Sequence, residues 1–248
     1  MLHLRGFMTD VTSLAAQRHL ASQLLTLSPA DAVASYFALE HDPKRTRLVV
    51  RADASNNRAL AFVAVCQTGL DLFRPMVVMR GDDSPALQDA LREALQPRRQ
   101  YLFNALPSAQ PDLVAVAELH SDVIHAIYTL NEADFLPVVN ILALNSKTPD
   151  GQLRAIIRAR DGSNAAEAGT SWISSRYAEM FVNVIEGARG RGLGKSVVSA
   201  VSAAILAMKR TPLYVVGRDN TASIHLAQRL GYRNTNAFEL SGGMSRRD

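Results

Sequence analysis

The sequence predicts an α/β protein of the α+β kind: a mixed, mostly antiparallel twisted sheet flanked by helices, built as a tandem of two similar lobes. Three observations predict it. Each half reads strand, strand, strand, helix, strand, helix, strand. Hydrophobic residues make up 48% and charged residues 20% of the 248 residues, a composition that can bury a core rather than stay disordered. A single loop rich in glycine and arginine, Glu186–Ser196, stands between a strand and a helix of the second half. The repeat is one of element order, not of residue identity. An ordinary alternation of strands and helices in one α/β domain is the alternative.

The elements follow in order. Residues 1–10 read as a loose lead-in. Residues 12–27 place Leu14, Leu20, Ala21, Leu24 and Leu25 on one helical face, with Thr12 or Ser13 as cap. Ser28-Pro29-Ala30-Asp31 opens a second helix, since proline suits a first turn. Arg47–Ala52, Ala59–Gln67 and Leu72–Arg80 read as strands. Asp83-Ser84-Pro85 opens a helix to Leu95, followed by a strand at Gln100–Asn104, a helix at Pro111–Leu119 and a strand at Val123–Leu130. In the second half, residues 135–145 read as a helix, although Val138, Val139 and Ile141 leave that ambiguous. Leu153–Arg160, Ala166–Ser174 and Tyr177–Glu186 read as strands, Lys195–Lys209 as a helix and Pro212–Gly217 as a buried strand. Asn220–Leu230 is a helix stopped by Gly231, and Phe238–Leu240 is a short last strand before a frayed tail. The domains expected from this order are residues 1–134 and 135–248.

Composition narrows the function classes. Cys66 is the only cysteine, which excludes an intramolecular disulfide and a multi-cysteine zinc site. No apolar run reaches the roughly 18–20 residues of a membrane span, and no secretory signal is visible at the start, so the expectation is a cytoplasmic protein without a membrane partner. The six histidines show no metal-ligand spacing, and no metal is expected; His225 reads as a surface or structural residue. Residues 1–150 hold 13 Lys/Arg against 16 Asp/Glu, whereas residues 151–248 hold 14 against 7. The second half therefore suits an anion. Nucleic acid is not expected: no basic run exceeds two residues and no aromatic stripe accompanies the arginines.

The loop names the anion more closely. It lies between an alternating strand and a helix, so its backbone N–H groups can converge on a phosphate at the helix N-terminus. Gly190, Gly192 and Gly194 lack Cβ atoms, and Arg189, Arg191 and Lys195 add charge. Gly194-Lys195-Ser196 mimics the end of a nucleotide P-loop, but the glycine required five residues earlier is Arg189. The dinucleotide fingerprint G-x-G-x-x-G fails at Lys195. What stands is Arg189-x-x-Gly192-x-Gly194. It resembles the pyrophosphate-binding signature of the GNAT superfamily of acetyl-CoA-dependent N-acetyltransferases. Pro212–Val216, and Asn220 through Ser223 and Leu226 to Leu230-Gly231-Tyr232, resemble that family's next strand and helix. Tyr177–Val182 resembles the central strand of its histone-acetylating branch. The resemblance covers roughly residues 150–241. The corresponding place in the first half is Met79-Arg-Gly-Asp-Asp-Ser-Pro85, acidic and with one glycine.

The resemblance implies a GNAT fold and acetyl-CoA as co-substrate, held by the backbone of Val182 and Val184, by Arg189, Gly190, Arg191, Gly192, Leu193, Gly194 and Lys195, and by Asn220 and Ser223. It implies transfer of the acetyl group to a primary amine by direct attack, the acceptor being an unidentified small molecule or peptide. Glu179 is the candidate base, with Glu186 and Glu167 behind it; by strand parity it shares a face with Phe181 and Asn183. The family's usual tyrosine acid falls on Ala227, which leaves Tyr232 as the nearest catalytic candidate, with Tyr214 beside it. A non-catalytic acyl-CoA binder or sensor is the alternative function. The first half is expected to be a degenerate GNAT-like lobe that shapes the acceptor site. A homodimer is left open.

Overall fold

The computed structural model describes residues 13–53, 57–69 and 71–247. The expected lead-in at 1–10 and the Thr12 cap lie outside the described residues. Packing divides the chain into two units: residues 1–124 together with 238–248, and residues 125–237. The boundary expected at 134/135 therefore differs from the packed one. The reason is an exchange of strands: the first unit takes in the end of the chain, and the second takes in the end of a strand that begins in the first.

In the first unit, helix α1 (Leu14–Ser22) starts at Ser13, whose hydroxyl accepts from the Ala16 N–H. It stops well before residue 27, and Thr26 instead donates both its N–H and its hydroxyl to Asp31. The Pro29–Asp31 turn leads into α2 (Ala32–Ser35) and a wide helical turn at Tyr36–Glu40. Strands β1 (Thr46–Asp53), β2 (Arg58–Cys66) and β3 (Met76–Gly81) form an antiparallel sheet. The third strand starts four residues later than expected. Asp71 accepts from the N–H groups of Phe73 and Arg74, holding a turn that leaves Leu72 and Phe73 exposed.

Helix α3 (Ser84–Ala94) begins at Asp83, whose carboxylate caps the Ala86 N–H. Its buried face of Leu87, Ala90, Leu91 and Ala94 packs with Val77, Met79, Tyr101 and Phe103. Each such leucine contributes on the order of 1.5–3 kcal/mol. The helix carries the chain to β4 (Gln100–Ala105), parallel to β3. After α4 (Gln110–Val116) comes β5 (Ala117–Thr129), which begins where the expected helix was to finish.

The second unit repeats this order. Strands β6 (Leu144–Lys147), β7 (Leu153–Arg158), β8 (Asn164–Ile173) and β9 (Tyr177–Val184) are antiparallel neighbours in sequence order. Helix α5 (Leu193–Ala207) crosses β7, β8 and β9 and leads to β10 (Thr211–Gly217), parallel to β9. Helix α6 (Thr221–Gln228) follows. Residues 125–129 of β5 pair antiparallel with β10.

The expected helix at 135–145 does not form. Pro137 and the β-branched Val138, Val139 and Ile141 disfavour it. The segment is held instead by Leu136 N–H on the Leu230 carbonyl and Val138 N–H on the Ser199 hydroxyl.

The tail expected to fray is a strand. β11 runs Arg233–Arg246, and its residues Leu240–Ser245 pair antiparallel with β4 in the first unit. Leu240 and Met244 enter that unit's core. Gly242 makes the fit: a Cβ there would lie 2.9 Å from the Asp122 Cα. The sequence Ser-Gly-Gly-Met, which reads as a loose end, is a strand in close backbone contact.

Candidate functional site

The site lies where two parallel strands part. β9 and β10 pair from Thr211↔Tyr177 to Tyr214↔Met180. Beyond that pair β9 stays with β8 as far as Val184, and β10 stays with β5 as far as Gly217. Backbone groups of Phe181–Val184 that face β10 thus have no strand partner there. A cleft of about 680 Å³ opens beside this parting. Its walls include Val182 and Val184 from β9, Arg189 to Lys195 apart from Arg191, and Asn220 and Ser223 from α6. The structure therefore brings together ten of the eleven residues that the sequence assigned to cofactor binding. Arg191 is exposed on the loop and outside the cleft wall.

The loop is shaped for an anion. Gly192 stands at the cap of α5 with φ 76°, a left-handed conformation that side chains resist, and a Cβ there would point into open space. A glycine cap has no side chain to occupy the N–H groups of Leu193, Gly194 and Lys195, which remain open to a ligand. The helix is 15 residues long, so its dipole favours negative charge at this end. Gly194 is needed for packing, since a Cβ there would lie 3.0 Å from Val184 Cγ2 and 3.1 Å from Leu226 Cδ1. Arg189 donates through Nε to the Val184 carbonyl at 3.3 Å, tying the loop to the strand end.

Helix α6 forms the opposite wall. Asn220 caps it, its side-chain oxygen accepting from the Ser223 N–H at 3.1 Å. Ser223 Oγ is 2.7 Å from the Tyr214 hydroxyl. Burial raises the Tyr214 pKa, partly offset by that bond, so the phenol keeps its proton. Ala222, His225, Leu226 and Arg229 also line the cleft and were missed from the sequence. Helical spacing gave a signal for two of them: Leu226 stands three residues after Ser223, and Arg229 three after Leu226. His225 is thus a cleft residue as well as a surface one.

Glu179 lies one pair inside the parting, opposite Leu213, and is not part of the cleft wall. Val182 and Val184 face α5, and strand alternation turns Glu179, Phe181 and Asn183 to the other face. That face carries Arg154, whose guanidinium stands 4.9 Å over the Phe181 ring and 3.6 Å from Glu167. Glu179 Oε2 accepts from Trp172 Nε1 at 2.7 Å. Glu186 is exposed at the start of the loop.

Tyr232 requires a correction. Its side chain is 3% exposed, with the hydroxyl 2.8 Å from Ser202 Oγ and donating to Met180 Sδ. Burial raises its pKa further still. An aromatic ring following the stop of α6 turns inward to seal the core between α5 and β9, which removes it from the candidate catalytic set. Ala227, in the family's tyrosine slot, is fully buried. Cys66 is buried too, its thiol pushed up to about 12 by desolvation, so it is no nucleophile. Among the described residues, no group of three His, Cys, Asp or Glu side chains forms a metal site, and no helix is long and apolar enough to cross a membrane.

This architecture is the GNAT fold. Residues 160–240 match the family model described as FR47-like protein. A GCN5-related N-acetyltransferase from Kribbella flavida superposes with a TM-score of 0.63 at 16% identity, over 89% of this chain and 96% of that one. A GCN5-related N-acetyltransferase-like protein from Streptococcus suis gives 0.61 at 15%, over 95% and 100%. A tandem GNAT protein from the clavulanic acid biosynthesis pathway gives 0.54 at 15%, over 96% of each chain. A comparison with curated protein sequences gave no match. The family likeness first read from the loop and the last helix is thus matched by the fold of the chain and by a family model over residues 160–240.

Proposed function

We propose that the second unit is an acetyl-CoA-dependent N-acetyltransferase domain. The observation that carries this reading is a coincidence of place. The parting of β9 from β10, the glycine-capped start of α5 and the Asn220 cap of α6 all border one cleft. The cleft fits the co-substrate on the chain's own features. The open N–H groups of Leu193–Lys195 and the charges of Arg189 and Lys195 suit a pyrophosphate. The strand edge at Val182–Val184, which β10 leaves beyond Met180, suits an amide-bearing arm. Asn220 and Ser223 stand across from it.

Bound acetyl-CoA supplies an activated thioester. The chain's residues then have two tasks. Backbone donors at Val182 and at the α5 start hold the arm and the phosphates in place, which turns a bimolecular encounter into a local one. Glu179 takes a proton from the acceptor ammonium, directly or through water, so that a neutral amine attacks the thioester carbonyl; the C–N bond forms as the C–S bond breaks, and CoA leaves as a thiolate that takes up the proton lost from the new amide nitrogen. The acceptor is a primary amine of a small molecule or peptide.

A non-catalytic acyl-CoA binder is the second reading, and one observation favours it: among the described residues, no tyrosine lines the cleft. Calorimetry with CoA and turnover with a panel of amines separate the two. CoA binding with acetyl transfer supports the enzyme, binding without transfer to any amine supports the binder, and no CoA binding overturns both.

A further inference from the structure

A β-bulge decides what touches Glu179. β8 and β9 pair regularly from Ala166↔Val184 to Thr170↔Met180. Continued without a break, that register would place Ser171 opposite Glu179, and Trp172 opposite Ala178 on the other face. The register instead shifts between Thr170 and Trp172, and Trp172 pairs with Glu179. One extra residue has turned the indole onto the carboxylate's face, as bulges do beside functional sites. The ring is 3% exposed, and its N–H reaches Glu179 Oε2 at 2.7 Å. The bulge is braced. Arg154 donates to the Leu153 and Thr170 carbonyls, and Thr170 Oγ1 accepts from the Leu153 N–H and donates to Gln152.

We propose that Trp172 is the positioning residue of the candidate base: the bulge delivers an indole N–H that fixes the Glu179 carboxylate and favours its ionised form. This rests on the reading of Glu179 as the base. An N–H donor to a carboxylate stabilises the charged state, and a rigid buried ring sets the direction of the bond. The charged and titratable groups on that face of the neighbouring strands are Arg154 and Arg158 on β7, Glu167 on β8 and Tyr177 on β9, while β10 presents Leu213 and Val215. Arg154 is engaged with Glu167 and the Thr170 carbonyl. Arg158 bonds the Gly162 carbonyl at the far end of the strand. Trp172 donates to Glu179 through its indole N–H, and it carries no charge of its own.

Trp172 is the only tryptophan in the chain, so its fluorescence reports this contact with no other indole present. An indole touching a carboxyl changes emission when the carboxyl takes up a proton. The full-length protein without ligand is titrated from pH 9 down to pH 3, as wild type and as Glu179→Gln. A sigmoidal step in the wild type that vanishes in Glu179→Gln is expected. No step in the wild type, or a step that survives in Glu179→Gln, overturns the coupling.

The second measurement is the pH profile of acetyl transfer by Trp172→Phe, which keeps a ring and removes the donor. Its acid limb is expected to move up by about one pH unit, a tenfold loss at low pH, with the Kd for CoA within about twofold. An unmoved limb overturns the positioning role. If no amine is acetylated by the wild type, the proposed function has failed and the fluorescence titration still decides the contact.

Discussion

The two units meet the same structural problem in opposite ways. In each, two parallel strands part and a helix starts beside the parting. In the second unit the helix is capped by Gly192, which has no side chain, and arginine and lysine flank it. In the first unit Asp83 places its own carboxylate on the Ala86 N–H of α3. The anion site there is filled from within the chain.

The partings differ as well. β3 and β4 pair up to Val78↔Asn104, and two residues beyond lies Arg80, 5% exposed. Arg80 bonds Asp31 through Nε at 2.7 Å and donates to the carbonyls of Met79 and Ala30. Glu239 from β11 is buried close by, its Oε2 and the Oδ1 of Asn104 lacking protein partners among the described residues. Where the second unit has a cleft, the first has a buried polar cluster. A helix start and a strand parting serve a ligand only when the chain does not satisfy them itself.

The largest expected effect comes from breaking that cluster. Arg80→Met leaves Asp31 buried without its cation and is expected to destabilise the first unit by about 3–5 kcal/mol. Hydrogen exchange of β3 and the 29–31 turn reads this, and protection within about 1 kcal/mol of wild type would show the pair to be dispensable.

Next comes the base. Glu179→Gln is expected to lower turnover about 100-fold at neutral pH with CoA affinity nearly unchanged. Wild-type turnover would move the role to Glu186, Glu167 or water.

Gly192→Val sharpens the contrast between the two helix starts. A side chain there strains the left-handed backbone and enters the space kept for phosphate. CoA affinity is expected to fall at least tenfold, about 1.4 kcal/mol, by calorimetry on protein shown to be folded by circular dichroism. In the first unit, Asp83→Ala is expected to cost about 1 kcal/mol of helix stability and to create no second CoA site. A second equivalent of bound CoA would mean that the acidic cap alone had closed it.

The smallest effect is a pH dependence. Burial raises the Glu239 pKa above the 4.5 of a free glutamate, with the Asn104 bond and Arg80 offsetting part of the rise. The native state therefore holds the proton more tightly than the unfolded one. Its favourable contribution is complete below pH 4.5 and is lost as pH rises through the native value. Glu239→Gln should flatten that part of the stability profile, as measured by urea unfolding at a series of pH values. Asp31 behaves in the opposite sense. Burial pushes its pKa up, but the bonds from Thr26 and Arg80 outweigh it and leave the value lowered, so its contribution is lost on acidification.

The sequence by itself determined the local features of this protein. The alternation of Val, Leu and Phe runs with amphipathic segments set the order of strands and helices. Ser13, Asp83 and Asn220 announced their helix starts, because a cap depends on one residue and the next three. Arg189 to Lys195 announced the glycine-capped start of α5 for the same reason, since the N–H groups that such a start leaves open belong to contiguous residues. Tertiary structure decided what depends on partners distant in sequence. Ser241–Met244 is a strand only because β4 and residues 117–124 of β5 present a surface that its glycines fit. Residues 135–143 stay irregular because Leu230 and Ser199 take their N–H groups. Tyr232 left the catalytic set because Ser202 and Met180 hold its hydroxyl in the core. Trp172 meets Glu179 only because β8 gains a residue at Ser171: strand pairing has a period of two, so one inserted residue exchanges the faces, and that register is fixed between strands rather than within either.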